Sequence, residues 1–405
     1  MRFSFYKTII NPVLPCHMEG YADRIATDIH DDLYLNTFVL QSHQTFVFHV
    51  YDLIMITEEF ANQIKDETSK EFNMNPDCVF VSAIHTHSGP KVSTKLFPDI
   101  LPDEEYSNGL VHKALSNTKM CLESLVNGRI QFGMEFQDGY YSNRNDKNAY
   151  FNKRIDVLKF LDDHDNPCFS LCTIACHPTL MSPDSTEISA DLFGYMREEF
   201  FRRNGYPLII LTAEAGDVST RYTRKGHGPA EIERVGNALV SCIMGIVDFK
   251  DVELSDLCLN RIDYEFNYKP KDDSFIQQSL KKLQKLIDSS SNPDVKEAYL
   301  DMYRSVSSKY DKDFIQTKCT AFVLEGKDLR FVCFPGEIVS NLGLLLHGID
   351  SKKTMIFAYC NDFKGYAIDE LNYGKYAETF LSDYPFMEAD RFVDRIVEVS
   401  GNEIY

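Results

Sequence analysis

The chain has 405 residues, of which 44% are hydrophobic and 25% charged, and a formal net charge of −19. That balance describes a globular chain with a sizeable core and argues against nucleic acid or an anionic membrane as partner, because phosphates would be repelled. No stretch offers the ~18 uninterrupted apolar residues of a membrane-spanning helix, and the start, MRFSFYKTIINPVLPC, lacks the apolar core of a secretory signal, so a cytoplasmic protein is expected.

Taken in chain order, the first 55 residues are β-rich: LYLNTFVLQS and QTFVFHVYDLIMIT run apolar or alternate, with Val, Ile, Phe and Tyr enriched. EEFANQIKDETSKEF (58–72) has helical spacing. CVFVSAIH (78–85) is predicted as a strand, and YSNGLVHKALSNTKMCLESLVNG (106–128) as a helix with Gly128 as its C-cap. RIDVLKFL and CFSLCTIACH follow as strands, and DLFGYMREEFFRRNG (191–205) as a helix closed by Gly205. PLIILTAEAGD is a buried strand and AEIERVGNALVSCIMGIVD a long helix.

From Lys269 to Asp313 the composition shifts to Lys, Asp, Ser and Gln with helical spacing, which predicts a helical excursion, either a hairpin packed on the core or a lid. CTAFVLEGKDLRFVCFPGE is a hairpin turning at Glu325-Gly326-Lys327. EIVSNLGLLLHGI is a helix opened by Glu337, and KTMIFAYCND a further strand. Strands and helices mix throughout, so the expected class is α/β, mixed β-sheets flanked by helices, in a single domain over residues 1–405. The eleven cysteines, an odd number scattered singly, suit a reducing compartment. Cys168, Cys172 and Cys176 are evenly spaced but form no CxxC, and are expected to be small buried hydrophobes.

The residues that carry chemistry fall at the C-terminal ends of these strands, where α/β sheets place their sites. His85 and His87 end one strand, and alternation there would turn both imidazoles into one space. His177 ends a second. The loop LTAEAGDVSTRYTRKGHG brings Glu214, Asp217 and Ser219; FPGE brings Glu337; CNDFKGYAIDELNYGKYAETF brings Tyr366, Tyr373 and Tyr376. Two His from separate strands and one Glu form a ligand set that zinc accepts, with a coordination position left for water. There is no GxSxG elbow, no GxxxxGK[ST] loop and no HExxH helix. Each residue alone has a plainer role: Glu337 as a helix N-terminal charge, His177 as a core histidine, His227 as a solvated loop residue, Asp52 as a buried polar group; His30 carries no assigned role.

Together these segments resemble the neutral, non-lysosomal ceramidase family. HTHSGP (85–90), YYSNRNDKNAYFNKRIDVLKF, ACHPTLMSPDSTEISADLFGYM, AGDVST, FPGEIVSNLG and NDFKGYAIDELNY are similar to its motifs and stand in its order, from about Gly20 to Tyr376. The resemblance implies zinc held by His85, His177, Glu337 and Tyr366. It implies that His87 and Arg144 line the site and hold the substrate's polar head or a developing oxyanion, and that Tyr373 donates to that oxyanion. Ser219, within Gly-Asp-Val-Ser after Asp217, matches the family's essential serine, as nucleophile or as water-positioner.

The chain departs from the family pattern at Thr220 and Arg221, at Glu214 in place of Asn, at Asn145 in place of Ser, and at Lys91-Val92 in place of Gly-Gly. It is expected to represent the family's catalytic domain without an immunoglobulin-like C-terminal domain. The implied activity is hydrolysis of an N-acyl, ceramide-like amide by metal-activated water, with a small-molecule amide as partner. A zinc esterase, lactonase or peptide-like amidase is the alternative chemistry, and a non-catalytic zinc-binding member the alternative of another class.

Overall fold

The structure, a computed structural model, describes residues 1–254, 256–291 and 293–401. Among these, one large sheet runs from edge to edge through Leu208–Thr212, Pro167–Ile174, Arg154–Asp162, Val126–Phe136, Arg2–Ile9, Tyr34–Gln41, Thr45–Tyr51 and Val79–Ala83. A smaller sheet runs Cys258–Tyr268, Ile315–Glu325, Leu329–Cys333 and Lys353–Phe357. This is the mixed α/β architecture expected from the sequence.

Most neighbouring strands are antiparallel, but both edges of the large sheet and one edge of the small sheet are parallel pairs. A parallel pair needs a crossover, and each has a helix in it. Glu58–Phe72 links Thr45–Tyr51 to Val79–Ala83, Asp191–Asn204 links Pro167–Ile174 to Leu208–Thr212, and Ser340–His347 links Leu329–Cys333 to Lys353–Phe357. The three crossovers point their strands' C-terminal ends at one region. The segment after Phe357 sews that region together. Ala358 N donates to Thr212 O at 3.0 Å, Asn361 N to Val81 O at 2.7 Å, and Thr212 Oγ1 to Ile84 O at 2.6 Å.

The core has no tryptophan and is built on phenylalanine instead. Phe38 stacks on Phe48 at 4.4 Å and Phe48 on Phe80 at 4.8 Å, while Phe331 and Phe357 of the small sheet approach Phe48 edge-on at 6.3 and 6.0 Å. These offset and T-shaped contacts lock the two sheets into one apolar mass. The expected helical excursion forms Ser274–Ser289 and Pro293–Tyr310, inserted between two strands of the small sheet, with its own small cluster of Ile276, Leu283 and Val306. Among the described residues no helix is long and apolar enough to cross a membrane.

Three local expectations change. The helix expected over 106–128 is Glu104–Glu123, and Gly128 lies inside the strand Val126–Phe136. Gly128 is there for close approach rather than capping: a Cβ would come within 2.0 Å of Leu161 O. Glu337 does not open a helix but sits in the two-residue strand Glu337–Ile338, ahead of the helix Ser340–His347. His85 and His87 lie beyond the end of their strand, which stops at Ala83. Cys172 and Cys176 are buried free thiols, as small hydrophobes are, and Cys168 is half-buried.

Candidate metal centre

The strand Val79–Ala83 ends in a bend that sets His85 at φ 70°, a left-handed conformation uncommon for a residue with a side chain. Two backbone groups of the neighbouring loop hold it there. His85 N donates to Leu53 O at 2.9 Å, and Nδ1 donates to Ile54 O at 2.7 Å. A carbonyl can only accept, so Nδ1 carries the ring proton and Nε2 presents its lone pair inward.

His177 is anchored the same way: Nδ1 lies 3.0 Å from Val218 O. The two Nε2 atoms face Glu337 Oε2, at 3.5 Å from His85 and 3.0 Å from His177. The bend, rather than strand alternation, brings His87 into the same space, with its Nε2 3.2 Å from that of His85. Candidate ligand atoms of His85, His87 and His177 all lie within 4.8 Å of one another. His87 differs from the other two in one respect: its buried Nδ1 has no hydrogen-bond partner. Its ring rests instead on Tyr21, with centroids 4.9 Å apart.

Glu337 and Tyr366 arrive as register partners. Glu337–Ile338 pairs in parallel with Tyr366–Ala367, Glu337 opposite Tyr366. Tyr359 Oη donates to Glu337 Oε2 at 3.2 Å, and Tyr366 stands beside the same carboxylate as its register partner. Arg144 closes the group from the other side. Its Nε donates to Glu378 Oε1 at 2.8 Å, its NH2 to Gly216 O at 2.9 Å and to Tyr366 Oη at 3.1 Å, and its NH1 lies 3.3 Å from His177 Nε2.

Burial sets the protonation states. Removal from water lowers His85 to a pKa of about 4 and His177 to about 3, and holds His87 well below its usual value, so all three rings are neutral near pH 7. The same burial raises Glu337, against the pull of His85 and Arg144. Burial also raises Tyr366, and beside Glu337 it is a neutral phenol.

The remaining expected residues divide. Ser219 pairs with Ser142 in a short antiparallel ribbon, Ser142–Asn143 with Val218–Ser219, that also fixes Arg144. Its Oγ accepts from Arg221 N at 3.2 Å. Asp217 is buried but committed: Oδ1 accepts from Ser340 N at 2.8 Å and Ser340 Oγ at 2.7 Å, and Oδ2 from Asn143 Nδ2 at 2.7 Å. It clamps the ribbon to the helix Ser340–His347. Tyr373 is turned away, its hydroxyl donating to Tyr384 O at 3.2 Å and its ring packed against Phe275 and Phe386. There it lines a cavity of about 290 Å³ under the helical excursion.

Glu214 does not add an unbalanced charge. Its Oε1 lies 2.7 Å from His347 Nε2 and 2.7 Å from Asn152 Nδ2. Asp52 belongs to the scaffold, forked onto Arg197 and accepting from Tyr34 N at 2.8 Å. Two residues close to the centre were not anticipated, Tyr359 and Glu378. Tyr359 comes from the loop that follows Phe357 and Glu378 from the short 3-10 helix Ala377–Leu381, and neither segment is long enough for periodicity to mark them.

The donor set suits a zinc ion. Two neutral imidazoles with carbonyl-anchored Nδ1 atoms, a carboxylate and a phenol oxygen converge in a buried pocket, the mixed N/O set that zinc accepts. His87 stands beside them without such an anchor, its Nε2 among the candidate ligand atoms.

Residues 7–205 match the family model described as neutral/alkaline non-lysosomal ceramidase, N-terminal. No curated protein sequence matches the chain. Among solved structures, neutral ceramidase from Pseudomonas aeruginosa superposes with a TM-score of 0.78 at 16% identity, over 99% of this chain and 74% of that one. A ceramidase complexed with C2 superposes with a TM-score of 0.74 at 16% identity, over 98% and 75%. His85, Arg144 and His177 lie inside the matched stretch, whereas Glu337 and Tyr366 lie beyond it, in the part that the shared fold alone covers. The family match thus covers residues 7–205, and the chain shares the fold of the neutral ceramidase structures over nearly its whole length.

Proposed function

We propose that this protein is a zinc-dependent amidohydrolase that cleaves an N-acyl amide of the ceramide kind. The observation that carries the reading is the convergence of His85 and His177 Nε2 on Glu337 Oε2, with Tyr366 and Arg144 beside them. His85, His177, Glu337 and Tyr366 would hold the ion, which when bound polarises a carbonyl and lowers the pKa of an attacking water.

The chain's own residues do the rest. Arg144 is fixed through three acceptors and keeps its charge although burial opposes it, because Tyr366, Glu378 and Glu337 surround it. Its NH1 is the donor left to meet the oxyanion of a tetrahedral intermediate. His87, neutral and with Nδ1 unpaired, offers a second group to the same oxygen. Ser219 serves to position water. A nucleophilic serine needs a base within hydrogen-bond reach, and the recorded partner of its Oγ is the N–H of Arg221. Asp217 acts through the ribbon that carries Arg144 and Ser219.

The test is metal content of the purified protein and of His177→Ala, each assayed on a panel of N-acyl amides and matched esters. Near-stoichiometric zinc in the parent and amide hydrolysis are expected, with zinc lost and the rate down at least a thousandfold in the variant. Zinc without turnover of any amide or ester would replace the hydrolase reading with a binding protein. Esters cleaved and amides spared would replace it with an esterase.

A further inference from the structure

Beside the candidate metal centre lies a cleft that the mechanism above does not use. It holds about 30 Å³ of free space and is lined by Asn143, Asn145, Asp217, Asp369, Asn372 and Glu378 among others, with no lysine or arginine in its wall. Two of the three carboxylates are fully engaged. Asp217 takes Asn143 and Ser340, and Asp369 takes the Asn372 amide on both oxygens, at 3.1 and 2.9 Å.

Glu378 is different. It is 7% exposed; Oε1 accepts from Arg144 Nε, while Oε2 is buried with no hydrogen-bond partner. A buried carboxylate oxygen left unpaired is costly, so this one is set to receive a donor. Resting on the hydrolase reading, we propose that Glu378 and its cleft select substrates whose amine portion carries a primary ammonium group. The sign of the charge turns away carboxylate and phosphate heads. The cleft's small size, against about 290 Å³ for the cavity lined by Tyr373, turns away bulky heads such as sugars. Because Glu378 also grips Arg144, a bound ammonium fixes the amide's leaving side relative to the oxyanion donor.

Three amides with one acyl chain form the probe: N-acyl-1,3-diaminopropane, N-acyl-3-aminopropanol and N-acylbutylamine. They end in ammonium, hydroxyl and methyl. Their ketone analogues, with CH2 in place of the amide N–H, cannot be cleaved and report affinity for the zinc-loaded protein by calorimetry. The ammonium member is expected to lead the methyl member at least tenfold in kcat/KM, through KM, and at least tenfold in Kd. Glu378→Gln should bring both ratios to within a few-fold of unity, and Asp369→Asn should narrow them without touching Arg144. Thermal melts verify that each variant is folded, and Asp369→Asn carries the comparison if Glu378→Gln is not.

Equal affinity for the three ketones, or a hydroxyl member that leads, overturns the assignment. So does a Glu378→Gln variant that weakens all three alike, since Glu378 would then act only by positioning Arg144. Discriminating ketones with uncleaved amides would retain the ammonium site and remove the hydrolase reading. Cleaved amides without discrimination would do the reverse.

Discussion

Arg144 reaches three acceptors, on Glu378, Gly216 and Tyr366, from one planar head, and only a guanidinium can do so. Lysine keeps the charge but supplies a single point of contact on a flexible stem. Arg144→Lys should therefore retain zinc, since it replaces no proposed ligand, while kcat/KM falls about a hundred- to a thousandfold, the usual cost of losing a preorganised oxyanion donor. Metal analysis beside steady-state kinetics measures both, and a variant that keeps its rate would remove Arg144 from that role. Arg144, His85, His177, Glu337 and Tyr366 were legible in the sequence because each follows a strand or sits in a motif of fixed order. Glu378 and Tyr359 were not, because a side chain delivered by an irregular loop or a single 3-10 turn leaves no spacing to read. Tyr373 was misplaced for the same reason. Its N–H bonds back to Asp369 O, closing a turn that points the ring at the helical excursion.

At the scale of elements, strands and helices with strong periodicity declared themselves, as Glu58–Phe72 did to the residue. The two-residue strands did not. Glu337–Ile338 has its partner at Tyr366–Ala367, and no local pattern announces so short a parallel pair. Its geometry depends on Gly336, which holds φ 139° and whose Cβ would stand 2.6 Å from Gly365 O. Both facts count against any side chain there, and the atom in the way is backbone, which cannot step aside. Gly336→Ala should push the pair apart and carry Glu337 away from Tyr366. Because the strain is local to the pair, the expected result is at least a tenfold weaker zinc affinity by competition with a chelating dye, and loss of activity. The melting temperature with metal removed should drop by only a few degrees. A fully zinc-competent Gly336→Ala protein would show that the ribbon tolerates the shift and that Glu337 is not held by it.

Across the whole molecule, burial of histidine makes the fold acid-sensitive independently of any metal. His49 lies fully buried under the helix Glu104–Glu123, with its ring nitrogens 2.9 Å from Thr37 Oγ1 and 3.4 Å from Thr118 Oγ1. Burial lowers its pKa from 6.5 to about 3. The unfolded chain therefore takes up a proton on this ring below pH 6.5, while the folded chain refuses it until about pH 3. Between those limits the unfolded state holds one more proton, so stability falls as pH falls, by about 1.4 kcal/mol per pH unit from this group alone. Above pH 6.5 neither state is protonated there and the dependence vanishes. His49→Gln keeps a polar group near the two threonines but removes the titration. The variant is expected to be less stable than the parent at pH 7.5, and its stability should decline less steeply, by about one proton, between pH 6 and pH 4. Urea unfolding of the zinc-free proteins at a series of pH values reads that slope without interference from metal release. Parallel slopes for parent and variant would mean that His49 is not the proton acceptor, and would move the acid sensitivity to the other buried rings, His85 and His177, whose protonation also unmakes the metal centre.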